Sequence, residues 1–376
     1  MIRNFKRSAA IAGVAAIASV SLVACGDSND NAANGDNASS AKDATAIEGL
    51  SGQTGQLVAE GATSQANAMD YFGSRYAEAV SGANLAYNAT GSGSGIKNFI
   101  GNQAVFAGSD SPLKEEKGEV EQARERCGGN DAWHLPMVIG PVAVAFNLDG
   151  VEDLNLTVDN IVEIFDGTIT KWNDPKIAES NEGAKLPDQD ISVIYRSDES
   201  GTSDNFQKFL SAASDGKWEG EGKAFPQSVG AGANGSTAVA EQVKATSGAV
   251  TYVEAGYAHD LDLGVANIDF GSGAVELNNE SVNKALANVQ FKSEGHDLVV
   301  DSKSLFASNN EGAYPLVLTT YEIVCSKGYD ETTKNMVKDF LTIVLESQDE
   351  ELEDAGFIPV SGEFADKLKA SVDAIS

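Results

Sequence analysis

An α/β fold on a mainly parallel sheet, in a chain long enough for two domains, is what this sequence predicts. Two observations carry the expectation. A strand–loop–helix unit recurs three times with the same polar, glycine-containing join. Beyond the first fifty residues, about 325 remain, enough for two domains, and none of their apolar stretches is long enough to span a bilayer.

The chain opens on a basic segment with Arg3, Lys6 and Arg7, then an apolar run from Ala9 to Val23 that closes in Leu22-Val23-Ala24-Cys25. A run of about fifteen residues falls short of the roughly 20 that cross a membrane as a helix. Small residues before a cysteine mark a cleaved leader, so residues 1–24 are expected to be a signal peptide. Cys25 is then the lipid anchor, acylated on its sulfur; stable anchoring takes more than one acyl chain, palmitate among them. Residues 25–51 are dominated by Asn, Asp, Ala, Ser and Gly and have almost no large apolar side chains. They read as a flexible tether with a reach of roughly 25–30 Å. The expected location is the extracytoplasmic face of a bacterial cell membrane.

The first unit of the body runs Gly55-Gln56-Leu57-Val58-Ala59-Glu60, then Gly61-Ala62-Thr63-Ser64, then a helix carrying Met69, Phe72 and Tyr76. The second is Leu85-Ala86-Tyr87-Asn88, then Gly91-Ser92-Gly93-Ser94-Gly95, then Ile96, Phe99 and Ile100. The third is Ile191-Ser192-Val193-Ile194-Tyr195, then Arg196-Ser197-Asp198-Glu199-Ser200-Gly201-Thr202, then Phe206, Phe209 and Leu210. A hydroxyl before each helix can cap its first turn. Three unpaired helix N-termini on one surface can also surround a small oxyanion with neutral donors, at the strand ends where open α/β sheets bind ligands.

Between the second and third units, Gln103-Ala104-Val105-Phe106-Ala107-Gly108-Ser109 reads as a buried strand that stops at Asp110. Asp110 can cap the turn before Pro112. It can also accept a hydrogen bond from an anion that keeps a proton and repel one that has none. Arg196 brings the only full positive charge in the three loops, with a planar fork suited to an oxyanion, and Asp198 is placed to brace it.

The formal charge is −30; without Arg3, Lys6 and Arg7 the mature chain has 23 basic against 56 acidic residues, or −33. Such a chain offers no basic footprint for nucleic acid, and its acidity serves solubility. Gly230-Ala231-Gly232-Ala233-Asn234-Gly235 matches a dinucleotide fingerprint, but Phe225-Pro226-Gln227-Ser228-Val229 before it is no buried strand, so it reads as a flexible glycine loop. His134, His259 and His296 lack metal-ligand spacing, and Ser200 and Ser203 lack a neighbouring base, so neither a metal, a cofactor nor an enzymatic activity is expected. Trp133 and Trp172 are expected to pack, and the acidic run 346–351 to face solvent. With Cys25 taken by lipid, Cys127 and Cys325 remain, an even pair in an oxidising compartment: a disulfide, or two separate buried thiols.

Gly61-Ala62-Thr63-Ser64, Gly91 to Lys97, Gly108-Ser109-Asp110-Ser111-Pro112 and Arg196 to Ser203 stand in an order and spacing that resembles the PstS family, the phosphate-binding component of the phosphate ABC importer. Supporting stretches are Ile139 to Asn147, Gly167 to Pro175 and Gly248 to Glu254. The resemblance implies a two-lobed, type II-like periplasmic-binding-protein fold with the ligand between lobes and a two-strand hinge. The hinge crossings are expected near Val144–Asn147 and Tyr314–Thr319, giving one lobe of 52–143 plus 315–376 and another of 144–314. Cys127 and Cys325 then share a lobe, which favours the disulfide. It further implies phosphate held by Thr63, Ser64, Ser92, Asp110, Arg196, Ser200, Gly201 and Thr202, with Asp198 behind Arg196. Position 64 departs from the family, being Ser where many members have Phe; the contact there is a main-chain N–H. The implied partners are phosphate and a membrane permease, for a monomeric protein without a cofactor. The alternatives are a binding protein for sulfate, molybdate or arsenate, which has no use for Asp110, and a surface-anchored phosphoesterase, which lacks the metal ligands or nucleophile it needs.

Overall fold

The computed structural model describes residues 47–226, 228–287, 289–307 and 310–376. The signal peptide, Cys25 and the tether up to residue 46 lie outside them. The described strands are β1 (Gly55–Gly61), β2 (Ala83–Ala89), β3 (Phe106–Ser109), β4 (Ala132–Phe146), β5 (Asn155–Thr157), β6 (Ser192–Arg196), β7 (Ala231–Ala233), β8 (Ala249–Glu254), β9 (Gly264–Val265), β10 (Asn267–Asp269), β11 (Ala274–Val275) and β12 (Val317–Cys325). One sheet runs β2-β1-β3-β12-β4-β8-β6-β7, with β9 also on β4; β5, β10 and β11 form a small second sheet.

The parallel pairing read from the βα alternation is found in two outer triplets. β1 pairs in parallel with β2 and β3, and β6 with β7 and β8. The centre is antiparallel: β12 against both β3 and β4, and β4 against β8. The reason is topological, since β4 leads the chain out of the first half of the sheet and β12 brings it back.

β4 is 15 residues long, about 50 Å of extended chain. Its residues Ala132–Pro141 pair with β12, whereas Val142–Phe146 pair with β8. Two prolines interrupt an otherwise apolar run, and both sit where the ladder is broken. Pro141 marks the change of partner, and Pro136 adjoins a bulge opposite Thr320/Tyr321. Proline has no N–H to give a ladder, so these are the positions in a central strand that tolerate it.

Helices cover both faces. Ala68, Met69, Phe72 and Tyr76 of the Ala66–Ala79 helix are buried at three- and four-residue spacing. Tyr76 meets Phe340 edge-on at 5.6 Å, and Phe106 of β3 stacks on Phe340 at 5.5 Å. In the second half, Phe206 of the Gly201–Ala213 helix stacks on Tyr252 of β8 at 4.4 Å, with Phe165 and Phe225 around them. Burying each such ring stabilises by roughly 1.5–3 kcal/mol. Both tryptophans pack as expected, Trp172 fully buried and Trp133 half-buried against the core and His296. Cys127 and Cys325 form a disulfide with their Cα atoms 5.4 Å apart, tying the end of β12 to the loop after the Glu119–Arg126 helix. No helix among the described residues is long and apolar enough to cross a membrane.

Candidate ligand-binding site

Three strand ends aim helix N-termini at one place. After β1, Gly61 has φ +156°, and a Cβ there would strike the Gly108 carbonyl at the end of β3. Only glycine lets the two strand ends come this close. A single 3₁₀ turn, Thr63–Gln65, follows and runs into the Ala66–Ala79 helix. After β2, Gly91 precedes the Ser92–Ile100 helix; after β6, Ser200 precedes the Gly201–Ala213 helix.

The hydroxyls before these helices behave differently from simple caps. Ser200 does cap, its Oγ accepting from Ser203 N at 3.2 Å. The other two helix starts have no side-chain cap. Ser64 and Ser92 instead donate to the Asp110 carboxylate, at 2.6 Å to Oδ1 and 3.3 Å to Oδ2. Thr320 from β12 adds a third hydroxyl at 2.7 Å, its strand re-registered by the bulge next to it. Asp110 is 3% exposed and has no ion-pair partner among the described residues. The turn before Pro112 is closed by Ser109, whose Oγ accepts from Ser111 N at 3.2 Å, so the Asp110 carboxylate is not its cap. Burial pushes the Asp110 carboxyl above its ordinary range, with the Ser64 and Thr320 hydroxyls pulling the other way.

The facing wall is built on Arg196. Its side chain is buried at the end of β6. Nε and Nη2 donate to the two oxygens of Asp198 at 2.8 and 2.6 Å, the bracing expected. Burial opposes the Arg196 charge, but Asp198 outweighs it and holds the guanidinium firmly protonated. Burial likewise opposes the Asp198 charge, and Arg196 overcomes it, keeping that carboxyl below its usual range. Nη1 reaches Ser236 Oγ at 3.1 Å and Thr202 Oγ1 at 3.4 Å. Thr202 gives its own hydroxyl hydrogen to Glu254 Oε1 at 2.7 Å, so what it can offer an anion is its main-chain N–H.

The walls meet closely. A Cβ on Gly201 would lie 2.6 Å from Asp110 Oδ2, which makes this glycine obligatory. Asn205 Nδ2 donates to the Asp110 carbonyl at 2.5 Å, and Ser111 Oγ to Asp204 Oδ2 at 2.6 Å. Thr63 is gripped from across: its Oγ1 lies 3.0 Å from Ser236 Oγ and accepts from Ser236 N at 3.2 Å, while Tyr257 OH donates to its carbonyl at 2.8 Å. Thr63, Ser64, Ser92, Asp110, Arg196, Asp198, Ser200, Gly201 and Thr202 are therefore brought together. First-turn N–H groups and hydroxyls make a cradle of neutral donors with one carboxylate acceptor, the chemistry for a small oxyanion that carries a proton.

Ser236, Glu254, Thr320, Asn205 and Tyr257 escaped the sequence reading. The glycine loop 230–235 is not a free loop. β7 within it pairs with β6, and it opens the Gly235–Ala245 helix, whose Gly235 N donates to Asp198 Oδ1 at 3.1 Å. Its signal was a Gly-Ser pair opening a helix, obscured by the lack of an apolar strand in front. Glu254 and Thr320 were visible only as polar residues ending or interrupting apolar strands. Among the described residues, no group of His, Cys, Asp or Glu is arranged to hold a metal ion.

Residues 46–348 match the family described as a PBP superfamily domain. The Mycobacterium tuberculosis phosphate-binding protein PstS 2 is 44% identical over 324 residues, covering 85% of this chain and 87% of that protein. The phosphate-binding protein PstS of Xylella fastidiosa is 29% identical over 299 residues, 78% of each. Among solved structures, a high-affinity periplasmic phosphate-binding protein bound with phosphate at pH 8.5 superposes with a TM-score of 0.66 at 23% identity, over 84% of this chain and 94% of that one. A phosphate-binding protein from Stenotrophomonas maltophilia gives 0.63 at 23% identity over the same shares. At these identities the two structures speak for a shared two-lobed fold.

Proposed function

The chain belongs to the PstS family of phosphate-binding proteins within the PBP superfamily, and from that premise we propose that it captures inorganic phosphate outside the cytoplasm for delivery to an ABC importer. One observation carries the reading: a buried carboxylate, Asp110, held by neutral hydroxyls where three helix N-termini converge. A fixed negative charge in an anion site is useful only toward an anion with a proton to give. Phosphate keeps one near neutral pH and sulfate does not, so the acceptor that binds the first repels the second. The contacts are Thr63, Ser64, Ser92, Asp110, Arg196, Ser200, Gly201 and Thr202, with Asp198 holding Arg196.

The protein acts by binding alone, as a monomer, with no turnover of phosphoesters. Segments 52–143 plus 315–376 and 144–314 are the two lobes, joined by β4 and the return into β12, and they close over the ligand. The N-terminal leader is removed and Cys25, lipid-modified, holds the body near the membrane through its tether. Support for anchoring comes from the residues before Cys25.

Calorimetric titration of the purified body with phosphate, with sulfate as competitor, tests the assignment. One phosphate per chain and no displacement by sulfate is the expected result. Tight sulfate binding at neutral pH overturns it.

A further inference from the structure

The site contains more negative charge than its ligand chemistry uses. Arg196 forms its ion pair with Asp198 alone among the described residues, so these two cancel. Asp110 is accounted for as acceptor of the ligand's proton. Glu254, at the end of β8, is left over. It is 2% exposed, takes Thr202's hydroxyl on Oε1, and among the described residues has no hydrogen-bond partner on Oε2. The groups around it are Arg196 from β6, Asp110 following β3, Tyr257 from the next helix, and the hydroxyls of Thr202 and Ser236. Tyr257 OH gives to Thr63 O, and Arg196 to Asp198, Ser236 and Thr202, so Glu254 is left with the hydroxyls of Thr202 and Ser236. An ionised Glu254 would thus be a buried charge without an ion-pair partner among the described residues, with Asp110 and an incoming anion adding repulsion, an arrangement that is costly unless a proton removes it.

We propose that phosphate capture is coupled to the uptake of one proton from solvent, held on the Glu254 carboxyl with the second oxygen, Oε2, as its carrier. The inference rests on the phosphate reading above and deepens it. In the protonated state Oε1 still accepts from Thr202, and Oε2–H becomes a further donor at the anion's edge, so one group both removes a repulsion and adds a hydrogen bond. Burial acts in the same direction, raising the Glu254 carboxyl above its ordinary range, with Arg196 opposing.

Phosphate is titrated into wild type and Glu254→Gln at one pH, in two buffers of different ionisation enthalpy, which yields the protons taken up per phosphate. The ligand's own protonation is common to both proteins, so the difference isolates Glu254. Wild type should take up about one proton more than the variant, and on raising the pH its affinity should fall more steeply, by up to about tenfold per pH unit. Equal proton counts and equal slopes in the two proteins overturn the inference. A measurement on wild type alone covers a variant that fails to fold: phosphate-induced infrared difference spectra should gain a protonated-carboxyl band, and its absence also overturns the proposal. No phosphate heat in wild type in any buffer would instead overturn the phosphate reading, and this inference with it.

Discussion

The two walls of the site solve opposite problems. On one, Asp110 is a buried anion with no cation within ion-pair distance among the described residues, satisfied by the hydroxyls of Ser64, Ser92 and Thr320. On the other, Arg196 is a buried cation whose Nε and Nη2 are held by the two oxygens of one carboxylate, Asp198. Neither wall presents an unbalanced charge of the attracting sign. The difference teaches that an overall charge of −30 need not hinder an anion site, because recognition is left to short-range dipoles and hydroxyls whose reach ends within the cleft. It also means that the walls should fail in different ways.

The largest effect is expected on the Arg196 wall. Arg196→Ala strands Asp198 as a buried, unpaired carboxylate, and breaking a buried pair from one side costs about 3–5 kcal/mol of stability. Denaturant unfolding should show that loss, phosphate affinity should drop by well over tenfold, and the Arg196→Ala/Asp198→Ala double variant should regain much of the stability but not the affinity. If the single variant is as stable as wild type, the clamp is not the buried pair described here.

Asp110→Asn should leave folding intact and act on selectivity. The amide can present oxygen or nitrogen, so phosphate affinity should change by about tenfold or less, since a neutral hydrogen bond is worth roughly 1 kcal/mol. Sulfate, no longer repelled, should gain relative to phosphate. An unchanged phosphate-to-sulfate ratio, with both titrated at one pH and salt, removes Asp110 from its role as discriminating acceptor.

Acid should separate the walls by sign. Asp198 is held below its ordinary range, and so is Asp204, which burial opposes but Lys208, Ser111 and Lys114 bring down to about 2. Their stabilisation is present above the unfolded value and lost on acidification, for Asp204 between its ordinary 3.8 and about 2. Asp110 is raised, so the stability tied to its proton is full below the ordinary value and is lost as the pH climbs through its folded one. Unfolding measured against pH should therefore lose its steep acid limb in Asp204→Asn and flatten above the ordinary carboxylate range in Asp110→Asn. Identical profiles for the two variants would deny the opposition.

The smallest effect should come from Thr320→Val, which removes one of three hydroxyls from Asp110 while keeping the side chain's shape. A loss of about 1 kcal/mol in stability and a few-fold in affinity is expected from denaturation and calorimetry. A hundredfold loss of affinity would make Thr320 a direct ligand contact.

What the sequence made legible follows from how local each signal was. Gly61, Gly91 and Gly201 announce helix starts within a few residues of the strands that aim them, so Thr63, Ser92 and Thr202 could be found by eye. The outer parallel triplets were readable for the same reason. Ser236 was not, because β7 before it is three small residues with no apolar pattern. Thr320 and Glu254 come from strands covered on both faces, where no alternation separates an inward polar side chain from its neighbours. The antiparallel centre depends on pairing between β4 and β12, segments far apart in the chain, and local pattern carries no such information.

β12 has a consequence for the order of events during synthesis. It lies between β3 and β4, so the first half of the sheet has a strand-wide gap until nearly the whole polypeptide has been made. The inner edges of β3 and β4 wait unpaired, and the 198-residue span between Cys127 and Cys325 must be in place before their bond can close. Contacts this distant form late. A nascent chain that cannot complete the first half of its sheet early keeps that half loosely structured, the condition in which a polypeptide threads through a narrow pore.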